Sequence, residues 1–88
     1  MTYQPGARVR VRNLDPDHHT RMPRYVRGHT GEVVAVLGDW VLPDDNARDV
    51  ARPRVETCYA VRFSAADLWG SGTHTVTVDL WESYLDQP

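Results

Sequence analysis

A chain of 88 residues with 41% hydrophobic and 25% charged side chains has room for one thin core, so residues 1–88 read as a single domain, and most self-contained enzymes and a largely disordered tail are excluded. The net charge of −2 conceals an asymmetry, because residues 1–31 hold six Arg against Asp15 and Asp17 while residues 32–88 hold four Arg against ten carboxylates, and that basic excess is too weak for a nucleic-acid surface. The lone Cys58 rules out an internal disulfide and a thiolate metal site, and no segment approaches the roughly 18 apolar residues that a membrane span requires.

The dominant period along the chain is two. The N-terminus, Met1-Thr2-Tyr3-Gln4-Pro5-Gly6, lacks the charged-then-apolar order of a secretory leader, which makes the cytoplasm the expected location. Arg8-Val9-Arg10-Val11-Arg12 alternates strictly, which predicts a half-buried strand with valine inside and arginine outside. Gly31 precedes a second strand, Glu32 to Leu37, ended by the turn pair Gly38-Asp39; a short strand Trp40-Val41-Leu42 then stops at Pro43. Residues 43–54, rich in Pro and Asp, read as a loop exposed to solvent or laid on a partner.

Thr57 to Phe63 forms the next strand, with Tyr59, Val61 and Phe63 on one face and Cys58 on the other. Ser64-Ala65-Ala66-Asp67 has the spacing of an N-terminal capping box, and it predicts a short helical turn through Trp69 that Gly70 ends. Thr75 to Leu80 alternates again, directing Val76, Val78 and Leu80 to the core, and Trp81 to Leu85 closes the chain. Five short strands without a helix long enough to cover an open sheet predict an all-β fold that curls to protect its edges. The economical form is a small Src-homology-3-like, partly open barrel with a long loop between its first two strands. A barrel this small cannot enclose Trp40, Trp69 and Trp81 together, so some of them should face outward or toward a partner.

The densest chemistry lies in that loop, from His18 to Gly31. Two adjacent histidines, Arg21, Arg24, Arg27 and Tyr25 concentrate donors suited to an anion or to a partner's acidic groups, although a solvated basic loop has the same composition. Adjacent histidines such as His18 and His19 tend to point apart, and no further ligand at suitable spacing completes a metal set; His29 and His74 read as surface groups. Neither a Ser-His-Asp nor a Cys-His arrangement emerges.

His19-Thr20-Arg21-Met22-Pro23-Arg24-Tyr25-Val26-Arg27, Gly31, Tyr59-Ala60-Val61-Arg62-Phe63, Asp67-Leu68-Trp69-Gly70 and Val78-Asp79-Leu80-Trp81-Glu82-Ser83-Tyr84-Leu85 together resemble the C-terminal half of the nitrile hydratase β subunit, a module shared with thiocyanate hydrolase. The resemblance runs from about Gly6 to Leu85 and implies the same barrel. It also implies a division of labour, in which an α-subunit partner holds Fe(III) or Co(III) on cysteine sulfurs, two of them oxidised, and backbone amides, while this chain binds no cofactor of its own. Arg21 matches the β-subunit arginine that hydrogen-bonds the oxidised sulfurs, and His19 matches the histidine that supports it. Arg24, Tyr25 and Arg27 then serve loop structure or the subunit interface.

Departures from the family pattern accompany the match. The family often has Gly where this chain has His18, and a complete β subunit opens with a helical half that contributes a second arginine. The expected partners are therefore an α subunit and a separate helical β-like subunit, with no nucleic acid and no membrane. The alternatives are an accessory or maturation protein and a thiocyanate hydrolase subunit. Gly28-His29-Thr30-Gly31-Glu32-Val33 also resembles the Gly-rich turn of ribosomal barrels, but the absence of lysine and the acidic remainder oppose an RNA-binding role.

Overall fold

The computed structural model describes residues 3–13, 22–47 and 51–88. Five strands form one antiparallel sheet, β1 (Arg8–Val11), β2 (Thr30–Val41), β3 (Val55–Ser64), β4 (Thr75–Trp81) and β5 (Leu85–Asp86), in the order β4-β3-β2-β1-β5. The sheet does not close on itself, so the all-β, partly open barrel expected from the alternating segments is the observed architecture. Among the described residues the helical content is two five-residue helices, α1 (Pro43–Ala47) and α2 (Ala65–Trp69), and two 3₁₀ turns, Arg24–Val26 and Glu82–Tyr84.

The alternation written into β1 is realised directly: Val9 and Val11 are fully buried while Arg8 and Arg10 face out. Tyr59, Val61 and Phe63 of β3 fill the centre of the core with Val33 of β2 and Leu80 of β4. Gly31 is the tight spot of this packing. It pairs with Val9 across β1, and on its other side a Cβ atom would lie 2.8 Å from the Arg62 carbonyl oxygen and 2.9 Å from the Phe63 ring. Only hydrogen fits there, and the missing side chain leaves room for β3 to pack closely where β2 pairs with β1.

Three expectations need correction. Gly38-Asp39 is not a turn: β2 runs unbroken to Val41, and Gly38, at φ +95°, sits at one of two register irregularities in its pairing with β3. A bulge bends a strand without ending it, and a positive-φ glycine serves either purpose, so local sequence does not separate them. The expected third strand is thus the far end of the second, and the count of five is made up instead by β5, which pairs with β1 through Arg10↔Asp86 and Val11↔Leu85.

Residues 43–54 are likewise not simply a solvated loop. Asp44 and Asp45 on α1 are buried because internal donors claim them. The Tyr84 hydroxyl donates to Asp44. The Arg54 amide (2.9 Å) and its guanidinium (2.8 and 3.1 Å) donate to the Asp45 carboxylate. Charge-assisted bonds of this kind offset the desolvation of a buried carboxylate.

The helical turn after β3 matches its expectation closely. The Asp67 amide donates to the Ser64 hydroxyl oxygen at 3.3 Å, and Gly70 closes the helix in the left-handed conformation at φ +79°. Of the tryptophans, Trp81 is buried, whereas Trp40 and Trp69 are 58% and 53% exposed. Among the described residues no helix is long and apolar enough to cross a membrane.

Candidate functional site

The connection between β1 and β2 carries the basic motif, and its second half is tightly built. His19 and Arg21 lie outside the described residues; Met22, the next residue along, is 4% exposed and belongs to the core. Pro23, at φ −64° and ψ 140°, leads into the 3₁₀ turn Arg24–Val26, whose amides close locally from Val26 to Pro23 (3.3 Å) and from Arg27 to Arg24 (3.1 Å). Val26 is buried beside Met22, so the turn is fastened by apolar contacts as well.

Arg27 faces back into this turn. Its Nε and Nη2 both donate to the Met22 carbonyl oxygen, at 3.3 and 2.8 Å. Gly28 then follows at φ +79°, its amide donating to the Val11 carbonyl at 2.8 Å, which returns the chain to β1. Arg24 and Tyr25 remain on the outer surface.

The fold brings a second motif to this loop. Trp69, the last residue of α2, stacks on Tyr25 with ring centroids 5.9 Å apart and planes at 29°, and His74 lies against its other neighbourhood at 6.1 Å and 30°. Sequence reasoning marked Trp69 as the end of a helical turn, as part of a family motif and as one of three tryptophans too many for the core, but gave it no partner. Its partnership with Tyr25 left no periodic signal, because the two rings are joined by tertiary geometry and not by spacing.

The arginine face of β1 borders two open clefts of about 770 and 530 Å³ that share Arg10, Arg12 and Asp86. Arg12 pairs with Asp86 at 3.0 Å, an exchange between two largely exposed groups. At the back of the larger cleft the Tyr59 hydroxyl donates to Glu82 at 2.7 Å and accepts the Tyr3 amide at 2.9 Å. Burial, followed by the hydrogen bond to the Glu82 carboxylate, raises the Tyr59 pKa, so this phenol holds its proton and acts as a structural donor.

Cys58 is buried, and desolvation pushes its thiol up to about 11, the opposite of what a reactive thiolate needs. Among the described residues no three His, Cys, Asp or Glu side chains converge as metal ligands would. Chemically, the described part of the site offers oriented guanidinium and aromatic groups around a clamped loop. Those features define a small, partly open barrel module whose loop residues 22–29 are clamped to β1 and the core.

Comparison with known proteins specifies the class. The family model described as "Nitrile hydratase beta subunit, C-terminal" matches residues 1–87, and the chain belongs to that family. It is 46% identical over 84 residues to the low-molecular weight cobalt-containing nitrile hydratase subunit beta of Rhodococcus rhodochrous, covering 91% of this chain and 37% of that one. With the nitrile hydratase subunit beta of Pseudomonas putida the identity is 39% over 85 residues, covering 92% and 39%. The chain thus spans about two fifths of the length of these relatives. Among solved structures, thiocyanate hydrolase from Thiobacillus thioparus, as the recombinant apo-enzyme, superposes with a TM-score of 0.89 at 28% identity, covering 98% of this chain and 75% of that one.

Proposed function

We propose that the chain acts as a β-type subunit of a nitrile hydratase, converting a nitrile and water to an amide only when joined to a metal-bearing α subunit. The observation that carries this reading is the family match across residues 1–87, which takes in the His19 to Arg27 segment whole. In this reading Fe(III) or Co(III) belongs to the α subunit, where it supplies Lewis-acid activation of the nitrile or of water. The donor set described in this chain does not fit such an ion.

The chain's own contribution is positional and electrostatic. Arg21 holds sulfinate and sulfenate oxygens of the partner's oxidised cysteines through its planar fork of N–H donors, and His19 supports that network. Arg24 and Tyr25 lie on the outer surface, three and four residues further along the chain, and seat the partner. A helical β-like subunit completes the pocket, and the assembly is cytoplasmic. The test is co-expression with the α and helical subunits and an assay of amide release for wild type and Arg21→Lys. Collapse of turnover in an intact, metal-loaded complex is expected, since lysine keeps the charge and loses the fork. Near-normal turnover would overturn the role given to Arg21.

A second substrate reading has a specific observation in its favour. The structural match to thiocyanate hydrolase covers 75% of that chain, and the thiocyanate hydrolase subunit alpha of Thiobacillus thioparus, 29% identical, is covered over 67% of its length. Offering thiocyanate beside aliphatic and aromatic nitriles to the same complex separates the two.

A further inference from the structure

We infer that Arg27, together with the Tyr25–Trp69 stack, is the positioning device for Arg21; the inference rests on the reading of Arg21 given above and deepens it. Met22 is the residue that directly follows Arg21, and it is fixed in two independent ways. Its side chain is buried in the core at 4% exposure, and its carbonyl oxygen receives both Nε and Nη2 of Arg27 at 3.3 and 2.8 Å. The guanidinium thereby ties the beginning of the 22–27 segment to its end, around a 3₁₀ turn already closed by its own amides.

The outer side of the same turn is held by a different element. Tyr25 lies on Trp69 at 5.9 Å, and the direction of Trp69 is set by α2, whose start is capped by Ser64 and whose end is fixed by Gly70. The loop is therefore gripped from inside by Arg27 and from outside by an aromatic ring delivered from beyond β3. Two N–H groups of Arg27 are committed to a backbone carbonyl, which is the work of a brace. A fork of parallel donors can saturate one carbonyl from a fixed direction; a lysine ammonium is a point charge on a flexible stem and leaves that direction free. A guanidinium that must meet oxidised sulfurs in a partner has to leave from a defined point, because misplacement by about 1 Å can cost roughly a hundredfold in rate.

The experiment uses the assembled complex, with Arg27→Ala, Arg27→Lys, Trp69→Ala and Trp69→Phe beside wild type, Arg21→Lys, and Arg62→Gln as a surface control. Complex stoichiometry, kcat and KM are measured, together with amide hydrogen exchange of the peptide spanning 22–29. Arg27→Ala should assemble with KM within about twofold, lose roughly tenfold to a hundredfold in kcat, and exchange faster across 22–29. Arg27→Lys should recover only part of kcat. Trp69→Ala should show the same pattern more weakly, and Trp69→Phe, which keeps a stacking ring, should restore it. Unchanged kcat in assembled Arg27→Ala, with Arg21→Lys inactive, would refute the positioning role and leave the proposed function standing. Loss of assembly in both Arg27 variants would refute it too, making Arg27 an interface residue. Full activity of Arg21→Lys would instead strike the underlying reading, with the exchange data still showing whether the brace exists.

Discussion

At Gly31 the cost of one methyl group can be argued atom by atom. A Cβ there would stand 2.8 Å from both the Arg62 carbonyl oxygen and Val61 Cγ1, and neither a backbone oxygen nor a fully buried valine yields easily. Gly31→Ala should lower stability by about 1–3 kcal/mol, the usual range for overpacking a well-filled core, read as a reduced urea midpoint at unchanged slope. Cys58 supports a pH prediction. Burial, followed by the nearby Asp79 charge, disfavours the thiolate and pushes the thiol from its ordinary value of 9.0 up to about 11. The folded state thus holds the proton more tightly: the contribution is intact below pH 9 and is lost as pH rises from 9 toward 11. Cys58→Ala should flatten the decline in stability over that window, and the remaining slope should come from Tyr3 and Tyr59, whose pKa values are also raised by burial. The same burial predicts slow alkylation of Cys58 in the native chain and turnover within a few fold of wild type in the assembled Cys58→Ala complex.

Among the elements, α2 was the most legible in sequence and β2 the least. The capping signals around α2 act within a few residues, so Ser64, Asp67 and Gly70 specify its two ends without help from the rest of the fold. Ser64→Ala should cost about 0.5–1 kcal/mol, at the low end for an N-cap because the bond is exposed and 3.3 Å long. Gly70→Ala, where no atom would meet the new Cβ within 4 Å, should cost about 1–2 kcal/mol from the left-handed backbone alone. Both substitutions should loosen the Tyr25–Trp69 contact, which tryptophan fluorescence can follow alongside thermal unfolding. β2 was misread because Gly38 satisfies a turn and a bulge equally; the decision came from β3, whose Val55 to Cys58 stretch pairs with the far end of β2. α1 was misread for a related reason: buried aspartates look like solvated ones until Arg54, at the far end of the same segment, and Tyr84, from a distant one, close on them.

For the molecule as a whole, the expectation is a chain that folds alone and is catalytically silent. The purified chain should neither retain iron or cobalt stoichiometrically nor release amide from any nitrile, tested by metal analysis and an amide assay; robust activity without partners would contradict the proposed function. The sequence by itself determined the alternation of β1, the inward-facing Tyr59, Val61 and Phe63 of β3, the capped turn and the family motifs, because each depends on side chains within a few residues of one another; that Cys58 and Ala60 are buried too was decided by what packs on the other side of β3. The basic loop was also legible as a chemical feature, and its Arg24, Tyr25 and Arg27 were named from residue type and motif alone. What Arg27 and Tyr25 touch was not. Tertiary structure alone decided that Arg27 turns inward to the Met22 carbonyl, that Trp69 crosses from α2 to Tyr25, and that β5 replaces the expected short strand. Those outcomes depend on which distant surfaces the curled sheet brings within hydrogen-bonding or ring-contact range, and no local pattern of polar and apolar residues encodes that distance.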